Sequence, residues 1–134
     1  MSRNGVRAVA LAVIAAVSTA AQAQADETVR HRVRYTVSAQ NPVLADIYYR
    51  DTDPPTWADY SHNPYVFSPK VQADIGPQKA WVLDVVLADP DQWAMVAATS
   101  GPTQAVFHCQ LEVDGVLVDS DDGSKGALCS IREW

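Results

Sequence analysis

CQLEVDGVLVDSDDGSKGALC, residues 109–129, carries both cysteines of the chain at its two ends. Ala105, Phe107, Cys109, Leu111 and Val113 alternate with Val106, His108, Gln110 and Glu112, the period-two pattern of a half-buried strand. Asp114-Gly115 supplies the favoured two-residue hairpin turn. Residues 116–118 return, DSDDG (119–123) reads as a polar turn, and Ala127, Cys129 and Ile131 resume the alternation in a third strand. In a flat three-stranded meander the two cysteines would sit two strand spacings apart, roughly 9.6 Å. A disulfide tolerates a Cα separation of only about 7 Å. If the cysteines are bonded, the last strand must therefore leave the hairpin's sheet and face it from a second one. This segment predicts a sandwich.

Whether they are bonded depends on the compartment. The chain opens MSRNGVRAVALAVIAAVSTAAQAQADE, with Arg3 and Arg7 as a positive start. No charge follows from Ala8 to Ala21, and Ala23-Gln24-Ala25 offers a small-residue cleavage site. That order predicts a signal peptide over 1–25, removed after Ala25, and a single β-sandwich domain over 26–134. An uncleaved anchor would need roughly 20 apolar residues. The stretch from Ala8 to Ala21, before the first glutamine, has 14. In an exported chain two cysteines are expected to pair. A metal site would need more ligands than Cys109 and its neighbour His108 supply. A thioredoxin-like redox role would need a C-x-x-C motif that the sequence lacks. Cleavage leaves eight basic against sixteen acidic residues, a balance of −8. Such a chain is repelled by nucleic acid and by anionic lipid.

The rest of the chain extends the strand pattern. His31, Val33, Tyr35 and Val37 alternate, which places His31 on the core-facing row and His108, by its own register, on an outer face. Ala45, Ile47 and Tyr49 form a second row, Val71, Ala73 and Ile75 a weaker third. Trp81, Leu83, Val85 and Leu87 give a fourth, and Trp93, Met95, Ala97 and Thr99 a fifth. Gly-Pro, Asn-Pro and Asp-Pro pairs punctuate them. Seven or eight short antiparallel strands at this spacing predict an all-β sandwich, with no helix after the leader.

Candidate functional residues are few. Asp119, Asp121 and Asp122 invite a calcium reading, but an EF-hand loop needs Gly at its sixth position and Glu at its twelfth. Here Gly123 is fifth and Ser130 twelfth. His31, His62 and His108 have no nucleophile motif to serve. The chain is read as non-enzymatic, with no cofactor and no metal. Arg30, Arg32 and Arg34 share one face of the first strand. They read either as a charged edge that blocks strand-to-strand aggregation or as a docking stripe for an acidic partner or an anionic lipid head group. DTDPPTWADYSHNPY, residues 51–65, shows no strand pattern and is long for a connection in a compact domain. Residues 48–67 hold six of the chain's eleven aromatic residues. Trp57, Tyr60 and Tyr65 are therefore candidate binding residues. The competing use is a lid over one end of the sandwich.

The chain resembles the MmpS proteins, small mycobacterial membrane proteins, in three places. Val33-Arg34-Tyr35-Thr36-Val37 matches their V-x-Y-x-V opening strand. Ala45-Asp46-Ile47-Tyr48-Tyr49 matches their A-x-I-x-Y second strand, and Cys109…Val113-Asp114-Gly115…Cys129 matches their ending. The resemblance implies an immunoglobulin-like sandwich with a disulfide near its C-terminus. It also implies a non-catalytic accessory role beside large MmpL transporters that export lipids and siderophores. Those proteins look membrane-anchored, whereas this leader looks cleavable. The expected partners are thus an envelope protein or membrane transporter. A lipid or small apolar ligand is the alternative, and nucleic acid is excluded. The expected location is secreted or in the extracytoplasmic envelope.

Overall fold

The computed structural model describes residues 29–101 and 105–133. The leader over 1–25 and its cleavage after Ala25 lie outside the described residues.

Eight strands form: β1 His31–Ala39, β2 Val43–Tyr49, β3 Lys70–Ile75, β4 Trp81–Leu87, β5 Met95–Thr99, β6 Phe107–Val113, β7 Val116–Gly123 and β8 Ala127–Ser130. They make two four-stranded antiparallel sheets, ordered β4-β1-β6-β7 and β3-β2-β5-β8. The alternation puts one row of side chains between the sheets on every strand except β7, which buries none of its residues. Val33, Tyr35 and Val37 of β1 and Phe107, Cys109 and Leu111 of β6 meet Ala45 and Ile47 of β2 and Val96 and Ala98 of β5, all buried. The Asp114-Gly115 turn forms as its sequence requires, with positive φ at both residues (51° and 82°). That backbone matches the twist of the flanking strands, and glycine adopts it without a steric penalty.

Cys109 on β6 and Cys129 on β8 are bonded across the two sheets, with a Cα separation of 6.1 Å. β8 joins β5 in the second sheet, so the cysteine geometry partitions the strands as the spacing argument requires.

The sequence reading needs correction in several places. DSDDG is strand, not turn: β7 continues through Gly123. Its carboxylates have uses that a turn reading misses. Asp121 Oδ2 accepts from the Leu128 N–H and Asp119 Oδ2 from the Ser130 N–H, both at 3.0 Å. These are amides of β8, an edge strand of the opposite sheet. Asp122 Oδ1 lies 2.6 Å from His108 Nδ1. In β5 the core-facing row is Val96 and Ala98, so Ala97 and Thr99 of the expected row are only half-buried, while Trp93 and Met95 of that row are buried. Trp93 ends a helical turn, Pro90–Trp93, so a period-two count started there is shifted. His31 lies at the open end of the core-facing row, partly exposed, and its Nδ1 stands 2.6 Å from Asp114 Oδ2. Helical structure is also present after residue 28. A short helix, Trp57–His62, and a 3-10 turn, Pro64–Phe67, fill the connection from β2 to β3. Thr56 caps the helix by accepting from the Asp59 N–H, a serviceable N-cap in a stretch otherwise read as loop.

Candidate functional site

The site begins with Arg50, the residue after β2. Its side chain is fully buried. The guanidinium donates from Nε to the Phe67 carbonyl (3.3 Å), from Nη1 to the Trp93 carbonyl (3.4 Å), and from Nη2 to the Ser68 and Tyr60 hydroxyls (3.1 and 3.3 Å). It lies over the Tyr60 ring at 4.6 Å and beside the Trp93 ring at 5.7 Å. Burial pulls its pKa down, and the Tyr60 oxygen opposes that. A charge removed from water is tolerable only when its donors are matched, and here the acceptors come from two separate segments. Arg50 thereby gathers the 57–68 connection and the Pro90–Trp93 turn onto the end of β2.

Its backbone is fixed as well. The Arg50 carbonyl accepts from the buried Tyr35 hydroxyl at 2.6 Å, which in turn accepts from the Met95 N–H at 3.3 Å. Burial pushes the Tyr35 phenol pKa well above its ordinary value. Asp53 fastens the next residues, accepting from the Ala88 and Asp89 N–H groups at 2.8 Å each.

On this base the aromatics stack outward. Tyr60 and Trp93 meet at 5.4 Å between ring centroids, and Trp57 covers both, at 5.3 Å from Tyr60 and 6.1 Å from Trp93. Arg132, from the segment after β8, places its guanidinium carbon 4.1 Å from the Trp57 centroid. The result is a layered column, with one guanidinium buried beneath the rings and another at the surface. Trp57 remains 46% exposed. Beside it is an open depression of about 490 Å³ lined by Trp57, Asp89, Asp91, Gln92 and Arg132.

Of the candidate residues, Trp57 and Tyr60 are brought together and Tyr65 is not. Tyr65 stands on the 3-10 turn, 81% exposed, beside the exposed Val66. Arg30, Arg32 and Arg34 lie elsewhere. Arg30 precedes β1, while Arg32 and Arg34 project from the outer face of the first sheet. β1 is an interior strand between β4 and β6, so the edge-blocking account of these arginines fails. They are also interleaved with acids. Arg34 grips Asp84 with two hydrogen bonds (2.7 and 3.1 Å), which holds the Asp84 carboxyl below the usual range, and Glu112 stands opposite Arg34 on β6. Among the described residues no group of three or more His, Cys, Asp or Glu side chains is placed to hold a metal ion. No helix among them is long and apolar enough to cross a membrane.

Arg50, Trp93 and Arg132 escape the sequence reading. An arginine at a strand end reads as solvent-facing, Trp93 reads as strand, and Arg132 belongs to no pattern. The available signal was Arg50's position within the aromatic-rich stretch 48–67.

A family model described as the Rv2576c beta-sandwich domain matches residues 35–129, from the Tyr35 of the buried hydroxyl bridge to the Cys129 of the disulfide. The chain belongs to the Rv2576c beta-sandwich family. It is 36% identical over 109 residues to Uncharacterized protein Rv2576c of Mycobacterium tuberculosis and to Uncharacterized protein Mb2606c of Mycobacterium bovis. The match covers 81% of this chain and 71% of each of those proteins. No solved structure matches the chain. Whole-domain similarity thus assigns the Rv2576c family, and the MmpS likeness rests on short strand motifs. The family match spans Arg50, the aromatic helix and Trp93, whereas Arg132 lies beyond it.

Proposed function

We propose that this chain is an exported, non-catalytic domain of the mycobacterial cell envelope that docks a protein partner through the aromatic face around Trp57. One observation carries the reading. Neither the Trp57–His62 helix nor the 3-10 turn after it buries a residue, yet both are fastened to the sandwich by the buried Arg50. A lid would turn its large side chains inward. This segment presents Trp57, Tyr65 and Val66 to solvent, at 46, 81 and 64% exposure. Exposed aromatics on a rigid base are what interface hot spots are made of, since little entropy is left to lose on binding.

Export is supported by the leader sequence and by the Cys109–Cys129 bond, which requires an oxidising compartment to form and persist. A non-catalytic role is supported by the use of His31 and His108, each held against a surface carboxylate. The MmpS-like strand motifs make a membrane transporter of the envelope the leading class of partner. The depressions flanking the helix are open to solvent rather than enclosed, which suits a protein surface better than a buried lipid or small apolar ligand.

The test separates docking from cover. Trp57→Ala should cost about 1–2 kcal/mol for the stacking lost on Tyr60 and Trp93, less than Tyr60→Ala and too little to unfold the domain, and should lose the partner that co-purifies with the parent from a mycobacterial envelope. Tyr60→Ala should destabilise by about 2–3 kcal/mol, since it strips the Arg50 guanidinium of an acceptor and a ring. Equal recovery of every co-purifying protein with parent and Trp57→Ala would refute the docking reading.

A further inference from the structure

The depression beside Trp57 has a chemistry of its own. Its floor is an indole already backed by two further rings, Tyr60 and Trp93. Two acids, Asp89 and Asp91, line it together with the indole, Gln92 and Arg132. Asp89 occupies the N-cap of the Pro90–Trp93 turn, where an aspartate ordinarily accepts from the turn's own amides, yet it makes no side-chain cap bond. Among the described residues neither Asp89 nor Asp91 carries a side-chain hydrogen bond or ion pair. Aromatic face plus uncommitted carboxylates is the recognition chemistry of an organic cation. The site displays its own ligand class, because Arg132 is seated on the indole at 4.1 Å. A planar guanidinium stacks on a planar ring better than an ammonium does.

The two cations of the column differ in kind. Arg50 is sealed beneath the rings at 0% exposure and supports the fold. Arg132 lies on the outer side, partly exposed, two residues past the end of β8.

We propose that the depression formed by Trp57, Asp89 and Asp91 is a receptor site for an arginine side chain of the partner, and that Arg132 occupies it until the partner's arginine displaces it. This rests on the docking reading above and supplies the chemistry of what docks. The chain's acidity fits it: at eight basic against sixteen acidic residues after the leader, it attracts a basic partner surface.

The probe is a capped Gly-Arg-Gly peptide, with its lysine and citrulline counterparts, titrated into the folded chain while the Trp57 indole N–H is followed by NMR. Citrulline keeps the shape of arginine and removes the charge. One exposed cation–aromatic contact with two carboxylates predicts millimolar binding of the arginine peptide, weaker binding of the lysine peptide and none of the citrulline peptide. A tethered competitor acts at an effective concentration in the millimolar range, so Arg132→Ala should tighten the arginine peptide by about three- to tenfold. The double variant Asp89→Asn with Asp91→Asn should weaken it at least about fivefold. Unchanged core amide resonances, Phe107 and Leu111 among them, establish that each variant is folded. An Arg132→Ala chain that binds the arginine peptide no better than the parent, or a citrulline peptide that binds as well as the arginine one, overturns the proposal. Trp57-dependent partner capture without arginine binding removes the cation chemistry and leaves the docking face. Arginine binding without Trp57-dependent capture supports the receptor site and removes the docking reading.

Discussion

Replacing Arg50 by methionine tests how the domain is organised. Methionine fills most of the volume of the arginine stem and removes the guanidinium. Four hydrogen bonds are lost. The Tyr60 and Ser68 hydroxyls are only partly buried and can turn to water. The Trp93 carbonyl loses a donor in a buried site, where an orphaned acceptor costs about 1–3 kcal/mol, and the Phe67 carbonyl loses one in a partly covered site. Their bonds are long, 3.3 and 3.4 Å, so the lower half of that range applies to Trp93, less to Phe67, and the pair contributes about 2 kcal/mol. The ring contacts to Tyr60 and Trp93 add about 1 kcal/mol. Against this, the variant no longer strips a cation of water, and about 1 kcal/mol is returned. The net is about 2 kcal/mol, or roughly 8–12 °C in thermal midpoint for a domain of this length. Urea unfolding followed by circular dichroism and by tryptophan fluorescence measures it. Arg50→Lys should fall between parent and Arg50→Met, because one ammonium reaches fewer of the four acceptors. An Arg50→Met chain within about 1 kcal/mol of the parent refutes the view that this residue assembles the aromatic face.

Reduction of the Cys109–Cys129 bond, or Cys129→Ser with Cys109→Ser, should cost about 3 kcal/mol for a loop of this length, read as a lower urea midpoint with reductant present. Asp119→Ala and Asp121→Ala should each cost about 1 kcal/mol, and should speed hydrogen exchange at the Ser130 and Leu128 amides respectively while leaving β1 unchanged. Stability should decline at acid pH through Asp114 and Asp84, whose pKa values are lowered by hydrogen bonds from His31 and from Arg34. The sign follows from linkage: the unfolded carboxylate takes up its proton first as pH falls, so the contribution is complete above its unfolded pKa and lost as pH drops through the folded one. Asp114→Asn should flatten that acid limb, and both groups are exposed, so the change should be small.

What could be read in advance follows from where the cause of each feature lies. Val33, Tyr35 and Val37, or Phe107, Cys109 and Leu111, have a cause local to the strand: one face meets the core, so period two is written in the residues themselves. The division into two sheets was legible because the two cysteines impose a distance. β7 was legible only over 116–118; its continuation was not, because Asp119, Asp121 and Asp122 look like turn formers until the β8 amides and His108 stand beside them. The phase of β5 failed because Trp93 is large and apolar and sits next to a strand without belonging to it. Trp57 and Tyr60 were accessible from aromatic density alone. Arg50 was not, since its acceptors are supplied by Phe67, Ser68, Tyr60 and Trp93, and no local pattern announces them.

The two long flanks of the sandwich are closed by different means. Where β6 and β7 face β8 the closure is a covalent bond from Cys109 of β6 and two aspartate-to-amide clasps from β7. Between the β3 and β4 strands it is side-chain packing among the half-buried Val71, Ala73, Trp81, Leu83 and Val85, with Tyr49 and Trp81 touching across the gap at 5.6 Å. The domain is therefore bound like a book, with a stitched spine and a fore-edge that is only pressed shut. Hydrogen exchange should therefore be faster at the β3 and β4 amides than at those of β6 and β8. The aromatic column lies at the end of the leaves, across β2 and β5, and the hydroxyl of Tyr35 pins those two strands to β1. A fluctuation that lifts β3 and β4 need not disturb the face that Trp57 presents.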